Sequence, residues 1–154
     1  MKPKLFWWML IVVWCGLIYF MSSINSYESS NQSLFVARLF NRWIGQVLGP
    51  HAFAVTETAV RKTAHFFEYL VLGSLLFMGF LDRARIARTV LLVFIAGIFF
   101  AVSDELHQCF VPGRTMRFVD CIIDTMGIGT AVCALLLVGK KATVRRKKQM
   151  SKSI

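Results

Sequence analysis

The chain has 154 residues, 56% of them hydrophobic, and a mean hydropathy of +0.60. That is too apolar for an ordinary soluble domain, and the length suits one domain. The formal charge of +10 would suit a nucleic-acid partner, but none is expected, because the basic residues gather beside apolar runs without the interleaved aromatics on which bases stack. A lipid interior admits only helical bundles and closed barrels, since every backbone polar group must be satisfied internally. Long unbroken apolar runs favour the bundle.

Four runs reach the roughly 17–25 residues of a bilayer crossing, at 5–21, 63–81, 86–110 and 118–138. The predicted architecture is therefore an all-α, four-transmembrane-helix bundle. The first run, within residues 1–21, begins after Lys2 and Lys4. Trp7, Trp8 and Trp14 and the lack of a clean small-residue cleavage site mark it as a retained helix rather than a leader. Residues 22–61 form a predicted external loop, rich in Ser and Asn from 22 to 33. Within it, an amphipathic interfacial helix is expected over about 34–48, with Val36, Leu39, Phe40, Trp43, Ile44, Val47 and Leu48 on its apolar stripe. Gly49-Pro50 closes it. Residues 61–138 hold the other three spans, and 139–154 form a basic tail.

Twelve of the 18 basic residues fall on one side of this arrangement, at the N-terminus, between the second and third spans, and in the tail. The positive-inside bias places both termini of this multi-pass membrane protein in the cytoplasm. The tail is expected to lie on anionic lipid headgroups, which makes membrane lipids the first partners. The oligomeric state is not readable. Cys15, Cys109, Cys121 and Cys133 form no CxxC pair. Cys109 and Cys121 both fall near the outer face, but spacing alone does not establish a bridge.

Ionisable groups at bilayer depth are costly unless paired, hydrated or functional. Here they concentrate at one end of three spans. Arg61, His65, Glu68 and Tyr69 share a face at the start of the second span, next to Lys62. Asp104, His107 and Gln108 share a face at the end of the third, with Glu105 beside them. Pro112-Gly113 makes a turn that displays Arg114, and Asp120 and Asp124 lie one turn apart as the fourth span begins. The spans should bring these groups to one depth. His65, Glu68, Asp104 and His107 are the candidate acid–base residues, since imidazoles titrate near neutral pH and close carboxylates split each other's pKa values. Lys62, Tyr69, Glu105, Gln108, Arg114, Asp120 and Asp124 are candidate ligand-binding residues. No cofactor motif is present. Two histidines with carboxylates are a sufficient zinc donor set, but no HExxH-like spacing occurs, so no metal ligands are assigned.

The run Lys62-Thr-Ala-His65-Phe66-Phe67-Glu68-Tyr69, then Asp104-Glu105-Leu-His-Gln108, then Val111-Pro112-Gly113-Arg114-Thr115, followed by Asp120 and Gly127, resembles the VanZ-like family of small membrane proteins. The likeness extends over about residues 61–137. One departure is Asp124, where the family pattern tends to have Asn. The resemblance implies bacterial cell-envelope biology, because the founding member is associated with resistance to the glycopeptide teicoplanin. A peptidoglycan precursor or the drug itself, at the outer leaflet, is the ligand this would suggest. Three readings stand: a VanZ-like modulator of glycopeptide susceptibility, a membrane-embedded acid–base or metal-dependent enzyme acting on a lipid-linked envelope substrate, and a structural protein whose polar network locks helices together.

Overall fold

The computed structural model describes residues 4–49 and 54–150, with side chains described throughout except at 142–148 and 150. Lys2, Pro50 and the end of the basic tail, 151–154, which entered the sequence reading, lie outside these residues. Five helices follow in order: α1 (Lys4–Ser22), α2 (Ser26–Leu48), α3 (Glu57–Phe80), α4 (Ile86–Gln108) and α5 (Phe118–Met150). No strand occurs among the described residues. Four helices are long and apolar enough to cross a membrane: α1, α3, α4 and the Phe118–Lys141 part of α5.

The bundle is built around α3, which packs against all four other helices and most extensively against α5. Its core is a column of Tyr69, Leu72, Leu76 and Phe77 from α3, meeting Ile11 and Ile18 of α1, Val93 and Ala101 of α4, and Ile128 and Val132 of α5. The outward surface is just as apolar. Leu5, Met9, Val12 and Phe20 of α1, Leu91, Ile95 and Phe99 of α4, and Met126 and Leu137 of α5 are all exposed. Apolar residues on both faces are what a helix with lipid on one side and protein on the other requires.

Close approach of α3 and α5 depends on small residues. A β-carbon on Gly127 would overlap the carbonyl oxygen of Phe66, and one on Gly73 would fall 2.9 Å from the α-carbon of Ile128. On the opposite side of the bundle the connection from α3 to α4 is short. Thr89 fastens it, accepting from the Asp82 backbone N–H at 3.0 Å and donating to the Phe80 carbonyl at 3.3 Å.

The segment 22–33 departs from the predicted loop. Only Ser23 to Asn25 interrupt the helices, and α2 starts at Ser26. The Asn25 side chain caps it, accepting from the Glu28 N–H at 2.9 Å. Polar composition misled the loop reading because Ser29 and Ser33, though polar, are half-buried against the bundle. Of the expected apolar stripe, Ile44 is buried and Val36 half-buried, while Leu39, Phe40, Trp43, Val47 and Leu48 are exposed. α2 is thus an amphipathic fifth helix whose outer face is bare of protein. At the other end of the chain, α5 continues as helix to Met150, well past the expected end of the fourth span.

Candidate functional site

The helix order brings the C-terminal ends of α1 and α4 and the N-terminal halves of α3 and α5 to one end of the bundle. The turn 109–117 crosses that end, with Gly113 at φ +75°, a left-handed conformation that favours glycine. The Ser26 N–H donates to the Pro112 carbonyl at 3.2 Å, so the start of α2 is pinned to the turn. Polar side chains from all four spans are buried beneath this cover. Tyr69, Asp104, Glu105 and Asp124 are each 0% exposed, and Ser22, His65, Gln108 and Asp120 are also buried.

Three groups of contacts organise them. Asp104 Oδ2 accepts from the Ser22 hydroxyl at 2.9 Å and from Gln108 Nε2 at 3.3 Å, tying α1 to α4. Asp124 Oδ1 lies 3.5 Å from His65 Nδ1, an ion-pair distance joining α5 to α3. Glu105 Oε2 accepts from the Arg117 N–H at 2.8 Å, fixing the turn to α4. Five of the eight oxygens of these four buried carboxylates are left over. Asp104 Oδ1, Glu105 Oε1, Asp120 Oδ1 and both Asp124 oxygens are buried without a hydrogen-bond partner, as are Tyr69 Oη and His65 Nδ1. Buried polar atoms in proteins are overwhelmingly satisfied. Their concentration here, and not along the rest of the described helices, marks this end as chemically distinct.

Above the buried layer a cleft of about 230 Å³ opens between α1, α2, α3 and the turn. His65 and Glu68 face it from α3, together with Arg61; Arg114 faces it from the turn; Ser29, Gln32 and Ser33 face it from α2. With Nδ1 of His65 sealed against Asp124, the open edge of its ring is the Nε2 edge. Burial, and after it the charge of Arg61, lower the Arg114 guanidinium below its usual range. It stays charged, as arginine does in proteins.

All the candidate residues but Lys62 and His107 therefore divide into two layers. His65, Glu68 and Arg114 line the cleft; Tyr69, Asp104, Glu105, Gln108, Asp120 and Asp124 lie in or beside the buried layer beneath it. Asp104, Gln108 and Asp120 do not line the cleft beside His65 but lie buried. Lys62 is half-buried and does not line the cleft; its neighbour Arg61 does. His107 belongs to the seam between α1 and α4. Its Nε2 is 2.9 Å from the Ser23 hydroxyl and its ring stacks on Tyr19 at 4.2 Å. Since Ser23 also donates to the Tyr19 carbonyl at 2.7 Å, both contacts are hydrogen bonds only if Nε2 carries the proton. Arg114 has no carboxylate within ion-pair distance among the described residues, whose two ion pairs are Arg61–Glu57 and His65–Asp124. A bridge between Cys109 and Cys121 is not formed; all four cysteines are free thiols. No three His, Cys, Asp or Glu side chains among the described residues are grouped as a metal ion requires.

Sequence reasoning missed Ser22 and Ser23, which close α1 and reach Asp104 and His107. The signal available was a Ser-Ser pair at the end of an apolar run. It also missed the contribution of Ser29, Gln32 and Ser33, because the segment was read as loop.

Taken together, the helices and their polar end define a small helical membrane protein with a polar site at one end of its bundle. The family model described as VanZ/LLP1 matches residues 7–139, and the chain belongs to that family. No curated protein and no solved structure matches it.

Proposed function

We propose that this chain is a multi-pass protein of the bacterial cell membrane, with both termini in the cytoplasm, that modulates susceptibility to glycopeptide antibiotics of the teicoplanin type through its polar end facing outward. The observation that carries the reading is the convergence of His65, Glu68 and Arg114 on one cleft, backed by buried carboxylates from α4 and α5. Charge supports the orientation: Arg83, Arg85, Lys140 and Lys141 flank the opposite end of the spans. A ligand at the outer leaflet, such as a peptidoglycan precursor or the drug, would enter from the exposed side of the cleft.

One observation favours a second reading. The His65–Asp124 pair presents an imidazole edge to the cleft with a carboxylate behind it, the arrangement that orients a general base. Under that reading the protein is an enzyme acting on a lipid-linked envelope substrate, with Glu68 as the second acid–base group.

The test is complementation of a deletion strain, scored by teicoplanin susceptibility at matched protein levels. Arg114→Lys keeps the charge and loses the planar fork. It is expected to fail to complement, while Arg117→Lys complements fully. Full complementation by Arg114→Lys would show that the planar fork of Arg114 is not needed. The orientation has its own check. In a background lacking the native cysteines, Ser30→Cys should react with a membrane-impermeant maleimide in whole cells, and Gln149→Cys only after lysis. The reverse pattern would invert the topology.

A further inference from the structure

We propose that the cleft is a binding subsite for the phosphate of a membrane amphiphile bearing a phosphomonoester headgroup, held between Arg61 and Arg114. The proposal rests on the reading of this end as a ligand site and adds the chemistry of what enters it.

Two guanidinium groups reach the same cleft from separate elements, α3 and the turn 109–117. Like charges in one partly buried cleft repel each other, and an anion between them reverses that cost. Neither is committed elsewhere. Arg114 has no ion-pair partner among the described residues, and Arg61 meets Glu57 only at 3.9 Å, with both side chains partly exposed, a contact worth little. Neutral donors complete the wall. Ser29, Gln32 and Ser33 lie on one face of α2 at helical spacing and all line the cleft.

The geometry selects phosphate over carboxylate. A carboxylate offers one planar edge, which suits a single guanidinium fork; a tetrahedral phosphate offers oxygens in several directions and serves two forks at once. Glu68 shares the cleft and weakens the attraction for a singly charged anion. A phosphomonoester carries about −1.5 to −2 at neutral pH, enough to keep net attraction to two arginines.

The remaining wall points to an amphiphile. Met21, Val36, Val60 and Ala64 are apolar and line the same cleft. Its volume of about 230 Å³ lies below the roughly 300–1,000 Å³ of sites that enclose a whole drug-sized ligand. A headgroup fits and its tail must leave along the apolar side. Beyond that lies the exposed apolar face of α2, with Phe35, Leu39 and Phe40.

The test uses the full chain purified in dodecyl maltoside and a fluorescent short-chain phosphatidic acid as probe. Saturable binding is expected, and the matching diacylglycerol should not displace the probe. Arg61→Gln and Arg114→Gln should each weaken binding about tenfold or more, the loss of one charge-assisted contact. Arg117→Gln should bind as wild type, and the basic tail, unchanged in all variants, sets a common background. Unchanged affinity in both cleft variants, or equal displacement by diacylglycerol, overturns the proposal. Glycerol 3-phosphate displacing the probe at equal concentration overturns the amphiphile as the source and leaves free phosphate as the ligand. If the arginine variants do not remain monodisperse, Gln32→Ala decides: unweakened binding in that variant counts against the cleft. Because binding is measured on purified protein, it separates from the susceptibility reading. Intact binding with no susceptibility phenotype on deletion sinks that reading alone, and a phenotype without binding sinks this one alone.

Discussion

Replacing Gly127 with alanine is expected to force α3 and α5 apart and to lower the unfolding midpoint of the purified protein sharply. The added β-carbon would overlap the Phe66 carbonyl oxygen and sit 3.0 Å from the Leu70 nitrogen. Both are backbone atoms of α3, so no side-chain rotation relieves the contact. Overpacking of this kind costs about 1–3 kcal/mol, sometimes more, against which the better helix propensity of alanine offers about 1 kcal/mol. The same change elsewhere should be milder. At Gly97 the nearest atom is the terminal methyl of Ile128, at 2.5 Å, and that methyl can turn aside. At Gly16 nothing lies within 4 Å, and alanine should be neutral or slightly stabilising. Denaturation by SDS in mixed micelles would rank the three variants. A wild-type midpoint for Gly127→Ala would contradict the packing described. Asp124 lies one turn from Gly127 on α5, so separation of the helices should also draw it from His65 and abolish complementation.

The second large effect concerns His65 and Asp124 as a unit. Their side chains are 8% and 0% exposed and 3.5 Å apart. Removing one member of a buried pair leaves the other without compensation, at a cost of about 3–5 kcal/mol, whereas replacing both by apolar residues of similar size is often neutral. His65→Leu and Asp124→Leu should each destabilise the bundle. The double variant should unfold nearer to wild type than either single one, with a coupling energy above about 1 kcal/mol. It should still fail to complement, because the imidazole edge facing the cleft is gone. Additive losses would show that the two residues do not act together. A stable double variant that complements fully would leave the pair with a purely structural part.

Much of this molecule was legible in the chain because the bilayer imposes length and polarity limits that a sequence displays directly. The four crossings fell close to the helices observed, and the clustering of His65, Asp104 and Asp124 at one depth follows from alternating span direction. Which of these groups share a layer was not legible. Helical spacing puts Asp104 and Gln108 on one face, but it does not reveal that Ser22 fills the space beside them or that Arg61, rather than Lys62, reaches the cleft. Those outcomes depend on rotation of each helix about its axis, set here by contacts such as Trp14 Nε1 donating to the Glu68 carbonyl at 2.9 Å. The helix at 26–33 was obscured for another reason. Ser, Asn and Gln compete with backbone hydrogen bonds and usually signal turns, and only the buried side of α2 explains their presence in a helix.

The order in which the chain is made bears on its polar layer. Ser22 precedes Asp104 by 82 residues, so the α1 hydroxyl is already in the membrane when the aspartate arrives to receive it. His65 has the opposite fortune. Its partner belongs to the last of the five described helices, and at about 5–20 residues per second the imidazole spends several seconds in a half-built bundle without Asp124. During that interval α3 has α1 and α2 beside it but not the α5 carboxylate that faces His65. The arrival of α5 is therefore the step that pairs His65, after every element that lines the cleft has been made, and a nascent chain halted before α5 would carry an unmated histidine at the membrane surface.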